Sequence, residues 1–315
     1  MRTWGGRSAA VGGAVWLAAL LVWRDELAGL RLIDALLSFA PLVLVPLGLS
    51  LRDPRPEAES RLHRWARVAQ PASAVLALAS FFPAPGLAAA ALAAPWLAVS
   101  GLLAAAALLS LRSRDLRRPD TLCLDVALLC LPVGAGWLVA SRFGATPMGF
   151  GEPIVVLTAV HFHYAGFTTM LLVGLTGRAL GASRPVLLRP VAWGALLGPL
   201  LLAAGITLSP ALEAAAAAIV VLTLLGYSVL AGIVLRPRLP LAASRWLLGV
   251  SAAAPLVSMA WAAAYAFLEL VGRQEIGIVQ MARIHGVLNA LGFGLCGLLA
   301  LRGRATFDPG SGTQG

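Results

Sequence analysis

Long apolar runs, separated by short polar or basic connections, follow one another along the whole chain. A membrane-spanning helix needs about 20 mostly apolar residues to cross roughly 30 Å of hydrocarbon. Ten runs approach that length, and they predict an all-α, polytopic transmembrane helical bundle with about ten spans. The predicted spans are Ser8–Trp23, Ile33–Leu51, Ala66–Phe82, Leu87–Leu111, Thr121–Ala140, Ile154–Leu175, Val191–Leu208, Ala211–Leu235, Trp246–Leu270 and Ile276–Leu301.

The connections between these runs are short. Pro83–Gly86 and Ser209–Pro210 are tight enough to predict helical hairpins, and the longest connection, from Arg52 to Trp65, is too short for a soluble domain. We therefore predict a single transmembrane domain over residues 1–304. The tail over 305–315 is rich in Gly, Ser and Thr, a composition typical of disorder.

The composition supports this class of protein. Hydrophobic residues make up 59% of the chain and charged residues only 12%, whereas soluble domains have roughly 45–50% apolar and about 25% charged residues. The mean hydropathy is +0.86. These values exclude a water-soluble enzyme, a disordered chain and a secreted disulfide scaffold.

The net charge of +10 comes from 24 basic residues, all of them arginines placed between the apolar runs. No basic face of a soluble fold is present, so the expected partner is the lipid bilayer and not nucleic acid. Nineteen arginines fall in one alternate set of connections and five in the other. The positive-inside rule then places both termini in the cytoplasm of a multi-pass protein of the inner (plasma) membrane. The minority set is Arg24, Arg31, Arg142, Arg273 and Arg283.

Polar and ionisable residues inside the predicted spans are the candidates for function, because such groups are costly in hydrocarbon. Three of the four histidines lie there. Imidazole titrates near neutral pH, which suits it to proton transfer and to ligand binding. The candidate substrate-binding or proton-relay residues are His161, His163 and Tyr164 in the sixth span and Arg283, His285 and Asn289 in the tenth.

The two histidine segments are predicted to lie at similar depth. His161 is seven residues past Ile154, and His285 is nine past Ile276. At 1.5 Å per residue, the two are roughly 10 and 13 Å below the outer boundary. This predicts a His/Arg polar layer in the outer leaflet. Three glutamates above the layer are expected to balance its arginine: Glu152, Glu269 and Glu275.

Helix geometry limits a metal site. Residues two apart on an ideal α-helix point about 200° apart, so His161 and His163 cannot both ligate one ion. A single-metal site would need one of these two together with His285 and another group, or local unwinding near Gly166. We therefore assign no metal, and we leave the cofactor open; His161, His163 and His285 would be the ligands if one bound.

The two histidine segments contain distinctive motifs, His161-Phe-His163-Tyr164-Ala-Gly166-Phe167 and His285-Gly286-Val-Leu-Asn289-Ala-Leu-Gly292-Phe293. At these motifs the chain resembles the YndJ-like family of bacterial integral membrane proteins. The resemblance implies a multi-pass membrane protein, and some family members carry the label of transporter. It assigns no catalytic residue to any position.

Three functions fit these residues. In a transporter of a small molecule or ion, Arg283 holds an anionic group and the three histidines bind or relay protons. In a membrane-embedded enzyme, metal-dependent or metal-free, the histidines act on a lipid or isoprenoid-like substrate and Tyr164 donates a proton. In a packing or partner-binding protein, the histidines only hold helices together. We favour the transporter; the substrate, the reaction and the oligomeric state remain open at this point.

Overall fold

Backbone hydrogen bonding determines the architecture, because a segment inside hydrocarbon must satisfy its own N–H and C=O groups. The computed structural model describes residues 2–52, 60–112, 114–183, 185–270, 272–273 and 275–307. Those residues form ten long helical segments and no strand, which confirms the predicted all-α bundle. The segments are α1 (Arg2–Val22), α2 (Arg31–Arg52), α3 (Arg61–Ala79), α4 (Leu87–Leu111), α5 (Pro119–Phe143), α6 (Ile154–Leu180), α7 (Leu188–Leu208), α8 (Ala211–Arg238), α9 (Ala242–Leu270) and α10 (Ile278–Arg304).

Nine of these ten segments are long and apolar enough to cross a membrane, judged over the described residues. The exception is α3, whose first two turns carry Arg61, Arg64 and Arg67. These arginines shorten the apolar part of the helix to its second half. The chain is a multi-pass membrane protein.

Several helices begin earlier than the hydropathy pattern predicts, and the first and third do so by the most residues. The first starts at Arg2 instead of Ser8, and the third at Arg61 instead of Ala66. At the start of α3, Ser60 Oγ accepts a hydrogen bond from the His63 backbone N–H at 3.2 Å and caps the helix. Hydropathy marks the apolar part of a helix, whereas its hydrogen-bonded backbone continues to the cap.

The last helix extends beyond its predicted end. The helical backbone continues past Arg304, where the membrane-spanning part of α10 ends, to Phe307, six residues past Leu301. Residues 308–315, which make up most of the predicted disordered tail, lie outside the described residues.

The two short connections form helical hairpins as predicted. Helices α3 and α4 pack against each other, and so do α7 and α8. The second hairpin is so close that a Cβ atom built on Gly205 would lie 2.5 Å from the Cα of Glu213. Glycine at that position lets the two backbones meet.

Helix α2 lies at the centre of the bundle. In the most apolar 18-residue stretch of α2, 89% is buried inside the protein, whereas the corresponding share in the peripheral α1 is 22%. It contacts α1, α3, α6 and α10. Helix α6 also contacts α10, so the two helices that carry the candidate polar residues are adjacent.

Several helices contain wide, π-helical turns, a feature that is frequent at functional sites. On α6 such a turn covers Phe162–Thr168. There the Thr168 hydroxyl donates to the His163 carbonyl at 2.9 Å and the Thr169 hydroxyl to the Tyr164 carbonyl at 3.1 Å, each five residues back. The other wide turns are Ala40–Leu44, Leu230–Leu235, Ala282–Gly286 and Leu288–Leu295.

Contacts between helix ends place arginines at two opposite ends of the bundle, as their distribution in the sequence predicts. Arg178, near the end of α6, donates to the backbone carbonyl of Arg52 at the end of α2, over 2.6 Å. At the other end of α2, Arg31 donates to the Phe81 carbonyl at 2.9 Å. We call the end that carries Arg52 and Arg178 the arginine-rich face, and the end that carries Arg31 and Arg142 the arginine-poor face. The compartment that each face meets stays a prediction.

Candidate functional site

His163 is fully buried between α4, α5 and α6. Its Nδ1 donates to the Ala159 carbonyl at 2.8 Å, and its Nε2 accepts from the Trp96 indole N–H at 3.0 Å. The two ring centroids are 6.0 Å apart, with 25° between the planes. A carbonyl only accepts and an indole N–H only donates, so this environment fits the neutral imidazole with both nitrogens bonded.

A glycine on α5 makes room for this ring. A Cβ atom built on Gly134 would lie 2.7 Å from Nδ1 of His163, closer than side chains pack. The His163 ring thus contacts α4 and α5 and not α10. The structure does not bring His163 together with His285.

His161, two residues earlier on α6, has an exposed side chain. Its Nδ1 donates to the Leu157 carbonyl of the same helix at 2.7 Å. That bond puts the proton of the neutral ring on Nδ1 and leaves a lone pair on Nε2. No hydrogen-bond partner of Nε2 lies among the described residues.

His285, on α10, is half-buried against α9. Its Nδ1 donates to the Ser258 carbonyl at 3.0 Å, which again leaves the lone pair on Nε2. The Ser258 hydroxyl donates to Oδ1 of Asn289 at 3.1 Å. His285 and Asn289 therefore contact the same residue of α9, as their four-residue spacing indicates.

His161 and His285 lie on α6 and α10, two helices that contact each other. We call these two residues the open histidine pair. Each ring is oriented by one bond from Nδ1 to a backbone carbonyl, and each keeps an Nε2 lone pair for a proton or a hydrogen-bond donor. In the described part of the chain, no group of three His, Cys, Asp or Glu residues is arranged to hold a metal ion.

Tyr164 and Arg283 make their contacts with α2 and the chain before it. The Tyr164 hydroxyl donates to the Leu36 carbonyl at 2.7 Å, and this side chain is 9% exposed. Arg283 is exposed, and one of its Nη atoms donates to the Ala28 carbonyl at 2.6 Å. Tyr164 thus joins α6 to α2, while Arg283 lies at the arginine-poor face, two residues before His285.

Two of the three glutamates expected to balance Arg283 have described side chains, and their described contacts are with other groups. Glu152 accepts from the Val156 backbone N–H at 3.1 Å, at the start of α6, where a negative charge is favoured. Glu275 forms an ion pair with Arg273. The side chain of Glu269 lies outside the described residues.

Charged side chains at the helix ends form two clusters of ion pairs that the sequence does not reveal. At the arginine-poor face, Arg31 pairs with Glu26 at 2.8 Å and with Asp34 at 3.1 Å. At the arginine-rich face, Asp125 is fully buried and its carboxylate pairs with Arg52 and Arg114. An aspartate one turn inside the fifth apolar run is the only signal of the second cluster in the sequence.

Trp96 and Ser258 also belong to the candidate site, although the sequence analysis does not select them. Trp96 lies in the middle of its span, whereas tryptophans of membrane proteins concentrate near span ends. That unusual depth is a usable signal. Ser258 is one of several serines inside spans, and nothing in the sequence distinguishes it.

Comparison with known proteins gives two matches. The sequence model of the family described as "YndJ-like protein" matches residues 35–293. A protein named "Uncharacterized membrane protein YndJ", from Bacillus subtilis (strain 168), is 33% identical over 198 residues. That alignment covers 62% of this chain and 35% of the relative, so the chain spans about a third of the length of that relative. No solved structure matches the chain.

Proposed function

We propose a function from the premise that the chain belongs to the YndJ-like family, whose sequence model covers both histidine-bearing helices. The protein is a multi-pass membrane protein. In our proposal it is a transporter that binds protons at the open histidine pair, and with them a small anionic solute. The bilayer is the inner (plasma) membrane, and the arginine-poor face is the outer one.

The observation that carries the proposal is the bonding of the open histidine pair. In His161 and His285 the Nδ1 atom donates to a carbonyl, so each ring is oriented and its Nε2 is the atom that takes up a proton. Imidazole is a side chain that proteins commonly use to bind and release protons. Two such rings on neighbouring helices, one exposed and one half-buried, provide a path for a proton from the surface into the bundle.

Arg283 supports binding of an anion beside this pair. A guanidinium has five N–H donors, and the bond to the Ala28 carbonyl uses one of them. The side chain is exposed two residues from His285. Its remaining donors suit a carboxylate or a phosphate, which arginine binds through paired hydrogen bonds.

The enzyme alternative has less support from the geometry. It requires Tyr164 as a proton donor, but that hydroxyl already donates to the Leu36 carbonyl and its side chain is 9% exposed. It also requires reactive histidines, and both ring nitrogens of His163 are bonded inside the protein. Two of the groups on which it depends are therefore occupied.

Proton flux into proteoliposomes tests the proposal. Purified full-length protein is reconstituted with a pH-sensitive dye inside the vesicles, and a membrane potential is imposed with potassium and valinomycin. With phosphate or a carboxylate supplied outside, we expect flux from the native protein that falls to the level of empty vesicles in His161→Ala and in His285→Ala. The control is Thr207→Ala near the same face, because that exposed hydroxyl bonds only to the Ala203 carbonyl of its own helix.

Two results would contradict the proposal. One is native protein that elutes as a folded species and gives no flux above empty vesicles, with or without phosphate or a carboxylate outside. The other is flux from both histidine variants equal to that of Thr207→Ala.

A further inference from the structure

A groove of about 390 Å³ lies between α1 and α3, beside the middle of α2. It is remote from the open histidine pair, because its mouth is at the arginine-rich face. Its lining includes Trp4, Arg7, Val11, Leu42, Gln70 and Val75.

The groove extends from the interface into the hydrocarbon. Arg7 lies five residues into α1, whereas Val75 lies 14 residues into α3. At 1.5 Å per residue these positions are roughly 8 and 21 Å from the helix starts at this face. The depth of the groove therefore matches the upper part of an acyl chain in one leaflet.

The wall of the groove satisfies its own polar groups. Gln70 is fully buried; its amide nitrogen donates to the Pro41 carbonyl at 2.6 Å, and its amide oxygen accepts from the Ser8 hydroxyl at 3.3 Å. The deeper lining is aliphatic, with Val11, Leu42 and Val75. An alkyl chain suits such a surface, whereas a polar solute would lose its hydration there without compensation.

The mouth of the groove is cationic. Arg7 is exposed at its rim, and the guanidinium of Arg67 lies 5.6 Å from the centre of the Trp4 ring. Contact with the face of an indole holds such a cation in place. Two positive side chains thus stand above an aliphatic cleft, at the level of the lipid headgroups.

We propose that this groove binds one acyl chain of an anionic phospholipid from the surrounding bilayer, with Arg7 and Arg67 holding its phosphate group. The charge of the mouth complements the headgroup, and the aliphatic floor complements the chain. Arginines near a membrane surface attract anionic lipid in this way. The site is independent of the proposed transport, since it uses other helices and the opposite face.

Native mass spectrometry tests the proposal. Full-length protein in detergent is titrated with phosphatidylglycerol or with phosphatidylcholine of the same acyl chains. We expect one phosphatidylglycerol to be retained with about tenfold preference over phosphatidylcholine. Arg7→Gln with Arg67→Gln should remove that preference. The matched control is Arg61→Gln with Arg189→Gln, which removes equal charge from exposed positions of the same face outside the groove.

A second variant tests the groove without changing charge. Val11→Trp, at a position that is 65% exposed in the groove wall, fills the cleft and should abolish retention of either lipid. The proposal fails if both lipids bind equally to native protein, or if the control pair loses as much preference as the Arg7 and Arg67 pair. Retention by Val11→Trp at the native affinity would also overturn it, even if the double arginine variant does not fold.

Discussion

His161 and His163 are two residues apart on α6, but their rings differ in burial and in the bonding of Nε2. The His163 ring is buried between α4 and α5, and both nitrogens are bonded, to the Ala159 carbonyl and the Trp96 indole. The His161 ring is exposed, with one nitrogen bonded to its own helix and the other open. His285, on the neighbouring α10, is held in the same manner by a bond from Nδ1 to the Ser258 carbonyl.

The difference lies in the second nitrogen of each ring. A neutral imidazole with one bonded nitrogen is oriented and still accepts a proton, whereas one with both nitrogens bonded must first break a hydrogen bond. Burial alone would not distinguish rings with an open nitrogen from rings with both nitrogens bonded, since His285 has an open nitrogen and is half-buried. The difference favours a structural role for His163, while the functional role of the open histidine pair stays our proposal.

Removal of the buried ring should have the largest effect on stability. We expect His163→Ala to lower the free energy of unfolding by about 3–4 kcal/mol, because it leaves a cavity and a buried Trp96 N–H without its acceptor. The measurement is the temperature at which half of the detergent-solubilised protein is lost from its monodisperse elution peak. A fall of only one or two degrees would mean that His163 is not a packing residue, and the contrast with His161 would disappear.

A smaller change tests the same site from α5. Gly134→Ala places a methyl group 2.7 Å from Nδ1 of His163 and should cost about 1–3 kcal/mol, since the ring must move against its two bonds. Gly136→Ala is the matched control on the same helix, because a Cβ atom there meets nothing within 4 Å. Equal unfolding temperatures for the two variants would show that the ring has room to shift.

The sequence predicts the helices well, because hydropathy reports directly which segments can lie in hydrocarbon. It also predicts the tight hairpins and the separation of the arginines between two faces. Depth along a helix follows from residue counting, so a similar depth for His161 and His285 is a prediction that can be made at that level. These properties depend on position along the axis of each helix.

Direction around each axis is what the sequence leaves undetermined. The ideal-helix argument separates His161 from His163, but the wide turn over Phe162–Thr168 changes the directions of the residues within it. The partners also come from distant parts of the chain, since Trp96 precedes His163 by 67 residues. No periodicity within one apolar run indicates which neighbour faces it.

The smallest expected effect on stability belongs to the exposed ring of the pair. His161→Ala should change the free energy of unfolding by less than about 0.5 kcal/mol. The one hydrogen bond of this side chain is exposed, and its partner, the Leu157 carbonyl, belongs to the same helix. The same elution measurement as for His163→Ala checks it. If His161→Ala destabilises the protein as much as His163→Ala does, the exposed ring is holding helices together and the separation of roles on α6 is wrong. If His161→Ala leaves stability unchanged while proton flux is lost, a role confined to packing is excluded for His161. The effects on stability and on proton flux then belong to two different histidines, two residues apart on one helix.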